Sequence, residues 1–184
     1  MPEGEKREAI IQATIELIAE NGLQNTPMSL ISKRSNASAG IIYHYFESKD
    51  DLIKTLYERV KSEMLEMLLE ADDLQQPLAR RFQALLLATY YFCVTHPQEM
   101  VFLEQCESLP QQDAATEEAL KGIFKLVQDL RSQDLIKNLP DKVIGEFTLQ
   151  VMRRLARQAA AGNISIDETM VINIAGACWD AIAR

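Results

Sequence analysis

Helix stop signals cut this chain into pieces, and what lies between them leaves only one class of fold open. The stretches are rich in Leu, Ala, Glu, Gln and Met, which are strong helix formers, and alternation of period two persists nowhere, so a sheet is excluded. Ile10, Ala13, Ile15, Leu17 and Ile18 form an apolar face that ends at Asn21-Gly22, a helix stop. Thr26-Pro27 is a start signal, with Thr26 as N-cap and Pro27 at the first helical position. A short helix then runs to about Ser35, and Asn36-Ala37 is the turn. Ser38 caps a third helix that Phe46-Glu47-Ser48 breaks, and Ser48 with Asp51 forms a capping box that opens a long helix to about Leu69. Five further stretches follow: Pro77–Thr95, Pro97–Ser108, Asp113–Leu135, Asp141–Ala161 and Asp167–Ala183. Breaks at His96-Pro97, Leu109-Pro110, Leu139-Pro140 and Gly162-Asn163 separate them. The fold class expected is all-α, with about nine helices.

Several function classes drop out at once. The longest apolar runs fall short of a membrane span, and the first residues, with three acids, do not read as a signal peptide. Three cysteines (Cys93, Cys106, Cys178), an odd number without tight spacing, do not form a secreted disulfide framework. A cytoplasmic location is expected. Charge opposes a nucleic-acid partner, because the net charge is −8 and an acidic chain repels phosphate at long range. Residues 1–50 hold five bases against seven acids. Any claim of DNA binding therefore rests on local pattern.

That pattern lies in residues 27–46. Two short helices about a small-residue turn make a helix-turn-helix, whose second helix enters the major groove. Met28, Ile31 and Ala37 can pack inward with Ile42 and Phe46, leaving Lys33, Ser38, Gly40, Ile41, Tyr43 and His44 outward or at the edge. Gly40 lets a backbone approach closely, and Tyr, Ser and Lys are common phosphate ligands. Phe46 reads most simply as core, while Tyr45 reads equally as core or contact.

Residues 10–53 resemble the DNA-binding domain of the tetracycline-repressor (TetR/AcrR) family. Ala13, Leu17, Glu20-Asn21-Gly22 and Thr26 are similar to the family's first helix and its exit. Gly40-Ile41-Ile42-Tyr43-His44-Tyr45-Phe46 followed by Ser48-Lys49-Asp50-Asp51-Leu52 matches its spaced glycine, tyrosine, phenylalanine, lysine and leucine core. Ala39 stands where the family often has lysine, Asn36 where it prefers glycine, and Ser32 and Ser35 replace alanines. The DNA-contact set expected on this basis is Thr26, Pro27, Ser29, Lys33, Ser38, Ala39, Gly40, Ile41, Tyr43, His44, Tyr45 and Lys49. The resemblance implies a helix-turn-helix domain over 1–50 and a ligand-binding and dimerisation domain over 51–184. It also implies a homodimeric regulator, usually a repressor, released from a palindromic double-stranded operator by a small-molecule effector.

The remaining residues supply candidates for both later roles. Val151, Leu155, Val171, Ile174, Ala175, Cys178, Trp179 and Ile182, with Phe147 and Met152, make two apolar stripes that can pair with their copies as a four-helix bundle. Packing within the chain is the alternative. Leu86, Tyr90, Cys93, Phe102, Cys106, Phe124, Phe147 and Met152 can line an interior that suits an apolar or amphipathic compound. An ordinary core is again the alternative. Tyr90 and Tyr91 stand out, because a buried hydroxyl wants a partner. Cys93 and His96 lie one turn apart, which opens metal sensing as a remote reading. No nucleophile elbow, phosphate loop or Glu-x-x-His pair calls for an enzyme. No cofactor, metal or membrane partner is expected. The alternative function is a helical-bundle small-molecule or metal-binding protein that does not read DNA.

Overall fold

In this computed structural model, which describes residues 3–106 and 114–184, the described residues form ten helices. They are α1 (Glu3–Asn21), α2 (Met28–Ser35), α3 (Ala39–Tyr45), α4 (Lys49–Glu70), α5 (Leu78–Thr95), α6 (Pro97–Cys106), α7 (Ala114–Ser132), α8 (Asp141–Phe147), α9 (Leu149–Ala160) and α10 (Glu168–Ile182). The only β pairing among them is one isolated bridge, Ile136 to Ala183. No helix of the described residues is long and apolar enough to cross a membrane. The expected break at Leu109-Pro110, and the ends of its neighbours at Ser108 and Asp113, lie outside the described residues.

Two compact units share the chain. The first runs through Lys61 and takes up the chain again from Gln98; the second contains Ser62–Pro97 and Ala114–Arg184. In the first unit α1 packs on α2 and α3, and α2 on α3. Ile10, Ile11, Leu17 and Ile18 of α1 are fully buried with Ile31, Ile42, Phe46, Leu52 and Leu56. The expected inward set holds for Ile31, Ala37, Ile42 and Phe46, while Met28 is half-buried. The capping chemistry follows the sequence closely. The Ser38 hydroxyl accepts from the Ile41 N–H, and the Ser48 hydroxyl accepts from the Asp51 N–H at 3.0 Å. Asp51 returns the favour one residue earlier than a standard box, accepting from the Glu47 N–H at 2.9 Å.

In the second unit α5 is the central helix, packed by α7, α9 and α10. Phe82, Leu85, Leu86, Ala88, Thr89, Tyr90, Phe92 and Cys93 are all buried along it, as a stretch that is apolar almost all round from Phe82 to Val94 requires. The loop before it is tied by Arg81, which donates to both oxygens of Asp72 at 2.7 and 2.8 Å. At the other end Lys137 donates through Nζ to the Asp180 and Ala181 carbonyls, giving the last turn of α10 the cation that its orphan acceptors favour.

Two local expectations are corrected. The stretch read as one helix over Asp141–Ala161 is two, broken at Thr148, whose φ and ψ are −125° and −85°. There the buried hydroxyl donates back to the Ile144 carbonyl at 2.6 Å, which competes with the helical ladder. Thr26 is not the N-cap of α2: Pro27 holds that position without a side-chain bond.

Candidate nucleic-acid interface

Ion pairs at the surface tie α1 to its neighbours and so brace the helix-turn-helix. Arg34 on α2 reaches back to α1 with a fork of bonds to Glu20 at 3.0 and 2.7 Å and a third to Glu16 at 3.3 Å. This hydrogen bonding holds the Glu20 carboxyl below the usual range. The Glu16/Glu20 spacing on one helix face was a readable signal for such a clamp, and sequence reasoning passed over it. Arg7 lies over the Phe46 ring at 5.4 Å, and Arg59 pairs with Glu8 at 2.7 Å. Three acids of the acidic N-terminal region are therefore occupied by bases of the same unit.

The outward surface is different in character. Lys33, Ser38, Ala39, Gly40, Tyr43 and His44 are exposed, and Ile41 and Tyr45 are half-buried. Tyr43 is 53% exposed, a large fraction for an aromatic ring with no partner ring beside it among the described contacts. A Cβ placed on Gly40 would meet nothing within 4 Å, so the protein's own packing does not demand glycine there. Pro27 and Ser29 are exposed at the start of α2. Together these residues offer hydroxyls, a cation and a bare stretch of backbone on α2, the turn and α3, which is what a phosphate-lined groove can use.

Two members of the expected contact set are placed otherwise. Thr26 is fully buried, and its hydroxyl is shared between the Leu17 carbonyl at 3.2 Å and the Gly22 carbonyl at 2.9 Å. It fastens the exit of α1 and has no face toward solvent. Lys49 is half-buried and donates through Nζ to the Leu23 carbonyl at 2.9 Å, so its ammonium closes the loop after α1. The Lys49 contact joins residues 26 apart, whereas the Thr26 hydroxyl reaches nine and four residues back.

The residues expected to line an effector site fall in both units. Leu86, Tyr90, Cys93 and Met152 are buried in the second unit, whereas Phe102 and Cys106 are buried in the first. Phe124 and Phe147 are each 51% exposed and line no core. Burial pushes the Cys106 thiol up to about 11, which removes it as a reactive group near neutral pH. His96 stacks on Phe92 at 4.6 Å, and its Nδ1 lies 2.8 Å from the Thr95 hydroxyl. Among the described residues no group of three ligating side chains converges to hold a metal.

The expected dimer stripe is likewise divided. Val171, Ala175, Cys178 and Ile182 are buried inside their own chain, because α10 turns that face onto α5, α8 and α9. Those four are corrected to intrachain core. Val151, Leu155, Ile174 and Trp179 are half-buried, with Trp179 tilted against Phe82 at 6.0 Å.

Known proteins echo both units. Residues 10–56 match the family model described as "Bacterial regulatory proteins, tetR family", and residues 77–183 match "Tetracyclin repressor-like, C-terminal domain". The chain is 26% identical to an uncharacterized HTH-type transcriptional regulator of Haemophilus influenzae, covering 96% of this chain and 95% of that protein. It is 28% identical to the fatty acid metabolism regulator protein of Bacillus subtilis, covering 88% of this chain and 79% of that protein. In fold it is similar to the crystal structure of a TetR family transcription regulator from Marinobacter aquaeolei, with a TM-score of 0.87 at 19% identity over 98% of this chain and 96% of that one.

Proposed function

The chain belongs to the tetR family of bacterial regulatory proteins, and from that premise we propose that this DNA-binding transcriptional regulator is a homodimeric repressor. In this reading it leaves a palindromic operator when a small apolar or amphipathic effector binds the second unit. The observation that carries the reading is the surface of α2 and α3, where Lys33 on α2 and Ser38, Gly40, Tyr43 and His44 at the start of and along α3 are exposed. Tyr43, Ser38 and Lys33 bind phosphates, Gly40 lets the groove wall approach, and Ala39, Ile41 and His44 face base edges. Pro27, Ser29 and Tyr45 flank the contact, and Lys49 acts by fixing the loop that supports it.

Dimerisation suits this reading, since two recognition helices one helical turn of DNA apart, about 34 Å, read a palindrome that one cannot. The effector acts only through different affinities for the DNA-binding and released forms. A buried α5 with Leu86, Tyr90 and Cys93 supports an apolar contribution to its site, and a relative named for fatty acid metabolism supports an amphipathic compound.

The test is selection from random duplex DNA with the purified, effector-free protein. The expected product is a palindrome with half-sites spaced by about one helical turn or a multiple of it, bound with an affinity that falls steeply with salt. No enrichment from a folded dimer, before and after denaturation and refolding to strip any bound compound, would favour the helical-bundle binding protein that does not read DNA.

A further inference from the structure

We infer that Ala39 and Ile41 determine specificity by packing against thymine methyl groups in the major groove. The operator half-site then carries its sequence in methyls, not in the hydrogen-bonding edges of guanine or adenine. The inference deepens the proposed function by naming the base chemistry of the operator, and it rests on the reading of α3 as the recognition helix.

The composition of α3 carries the first part of the argument. The helix reads Ala-Gly-Ile-Ile-Tyr-His-Tyr, with no Arg, Lys, Asn, Gln, Asp or Glu. Guanine is read in the major groove by a fork of donors from Arg or Lys, adenine by the amide of Asn or Gln, and cytosine by a carboxylate. α3 supplies none of these. His44 stands against Tyr45, with ring centroids 5.3 Å apart, and its two ring nitrogens point in divergent directions, so it makes no two-bond pair with one base edge. The Ser38 hydroxyl is engaged as the cap, accepting from the Ile41 N–H. The base contact left to this helix is apolar, and thymine is the DNA base that offers a methyl there.

Position supplies the second part. In a helix-turn-helix the first residues of the second helix reach the base edges, while the first helix crosses the backbone. Lys33 lies on α2, so its charge falls to phosphate. The first residues of α3 are Ala39 and Gly40, both exposed, and Ile41, half-buried. Ile42 is buried and sets the inner face, so Gly40 and His44, two residues to either side, fall on the opposite one. A Cβ on Gly40 would meet nothing within 4 Å, and its φ lies outside the left-handed region. Neither packing nor backbone conformation within the chain therefore calls for glycine, which weakens a helix relative to alanine. A surface from outside that comes up to the backbone does call for it. With the groove that close at Gly40, the Ala39 methyl and the Ile41 side chain flank the contact and bury a thymine methyl against apolar surface.

Modified bases separate the methyl from the hydrogen-bonding edge. The duplex that the full chain selects from random DNA is remade with single changes in each half-site, and affinity is read by fluorescence anisotropy at fixed salt. Uracil in place of thymine removes the methyl and keeps the edge. A 5-methylcytosine–guanine pair keeps the methyl and changes the edge. Uracil should weaken binding about fourfold at one or more thymines of each half-site, the loss of one buried methyl. At the same steps 5-methylcytosine should bind more tightly than cytosine by a similar factor. In Ala39→Gly the preference for thymine over uracil should disappear at one such step and persist elsewhere, and Ile41→Ala should erase it at a neighbouring step. Ala39 is exposed, so Ala39→Gly decides the matter alone if the half-buried Ile41→Ala does not fold. Equal affinity for thymine and uracil at every step overturns the inference and leaves the regulator reading standing. So does an Ala39→Gly variant that keeps the full preference at all of them. Failure to select any duplex removes the recognition-helix reading and this inference with it.

Discussion

Replacing Thr26 and replacing Tyr43 have opposite expected consequences, although both belong to the DNA-contact set that the sequence suggests. Thr26 is fully buried and its hydroxyl bonds two carbonyls of α1 and its exit. Thr26→Val should cost about 1 kcal/mol, which for a chain of this size lowers the melting temperature by about 2–4 °C. DNA affinity below the transition should not change. Tyr43 is exposed and makes no core contact that stability depends on, so Tyr43→Ala should stay within about 0.5 kcal/mol of the wild type in stability. Its DNA affinity should fall about fivefold for every sequence, the loss of one phosphate bond. Fluorescence anisotropy at fixed salt beside thermal melting separates the two; wild-type affinity in Tyr43→Ala takes Tyr43 out of the interface. A second residue-scale expectation concerns the thiols. Cys93, Cys106 and Cys178 are all buried, and burial raises the Cys106 thiol to about 11 and the Cys178 thiol in the same direction. At pH 8 only about one Cys106 in a thousand is thiolate even before access is considered. A chromogenic disulfide reagent should count no fast thiol in the folded protein and three after denaturation. Rapid labelling of Cys106 in the native state would refute the packing around it.

At the scale of the element, α2 shows why an apparent departure from the family pattern is tolerated. Asn36 stands where glycine is preferred, and it occupies the left-handed region at φ 53° and ψ 31°, where its N–H closes onto the Ser32 carbonyl. Asn is the side chain that visits this region most readily after glycine. Asn36→Gly should therefore raise the melting temperature slightly, and Asn36→Val should destabilise by about 1–2 kcal/mol; a stabilising Val would contradict the observed turn. The turn and cap signals around it were legible because their chemistry is local: Asn21-Gly22, Ser38, and Ser48 with Asp51 each bond within one helical turn. What was not legible depends on partners outside the helix that a residue opens or closes. Thr26 looks like a cap until Leu17 is found beside it. Lys49 looks like a free cation until the Leu23 carbonyl is found. The Thr148 break and the burial of Phe102 and Cys106 in the first unit follow from packing, which helical periodicity does not report.

For the whole molecule the geometry to be tested is that of the proposed dimer, and the corrected packing of α10 narrows it. Val171, Ala175, Cys178 and Ile182 are consumed inside the chain, so a partner meets only the opposite face. That face borders a cleft of about 520 Å³ between α5 and α10, lined in part by Ala84, Leu87, Ile172, Gly176 and Ala177. Small residues there allow two backbones to come close, and a Cβ on Gly176 would meet nothing within 4 Å of its own chain. Gly176→Leu thus separates folding from assembly. Inside the monomer the change is favourable, because Leu exceeds Gly in helix propensity by about 0.5–1 kcal/mol. Against a closely packed partner helix it is not, since the extra side chain forces the two backbones apart. Sedimentation should show the dimer dissociation constant raised at least tenfold, or about 1.4 kcal/mol, with helix content intact and a monomer no less stable. A palindromic duplex should then bind each head independently, with the cooperativity of the pair lost. An unaltered dimer would move the interface off this face of α10. Another outward face in the same unit is that of α9, which carries Arg153, Arg154 and Arg157 within two turns. A two-fold pairing there would set like charges against each other unless acids of the partner intervened, whereas the cleft face of α10 carries small residues with one acid, Asp180, and one base, Arg80 of α5, so it is the face to test.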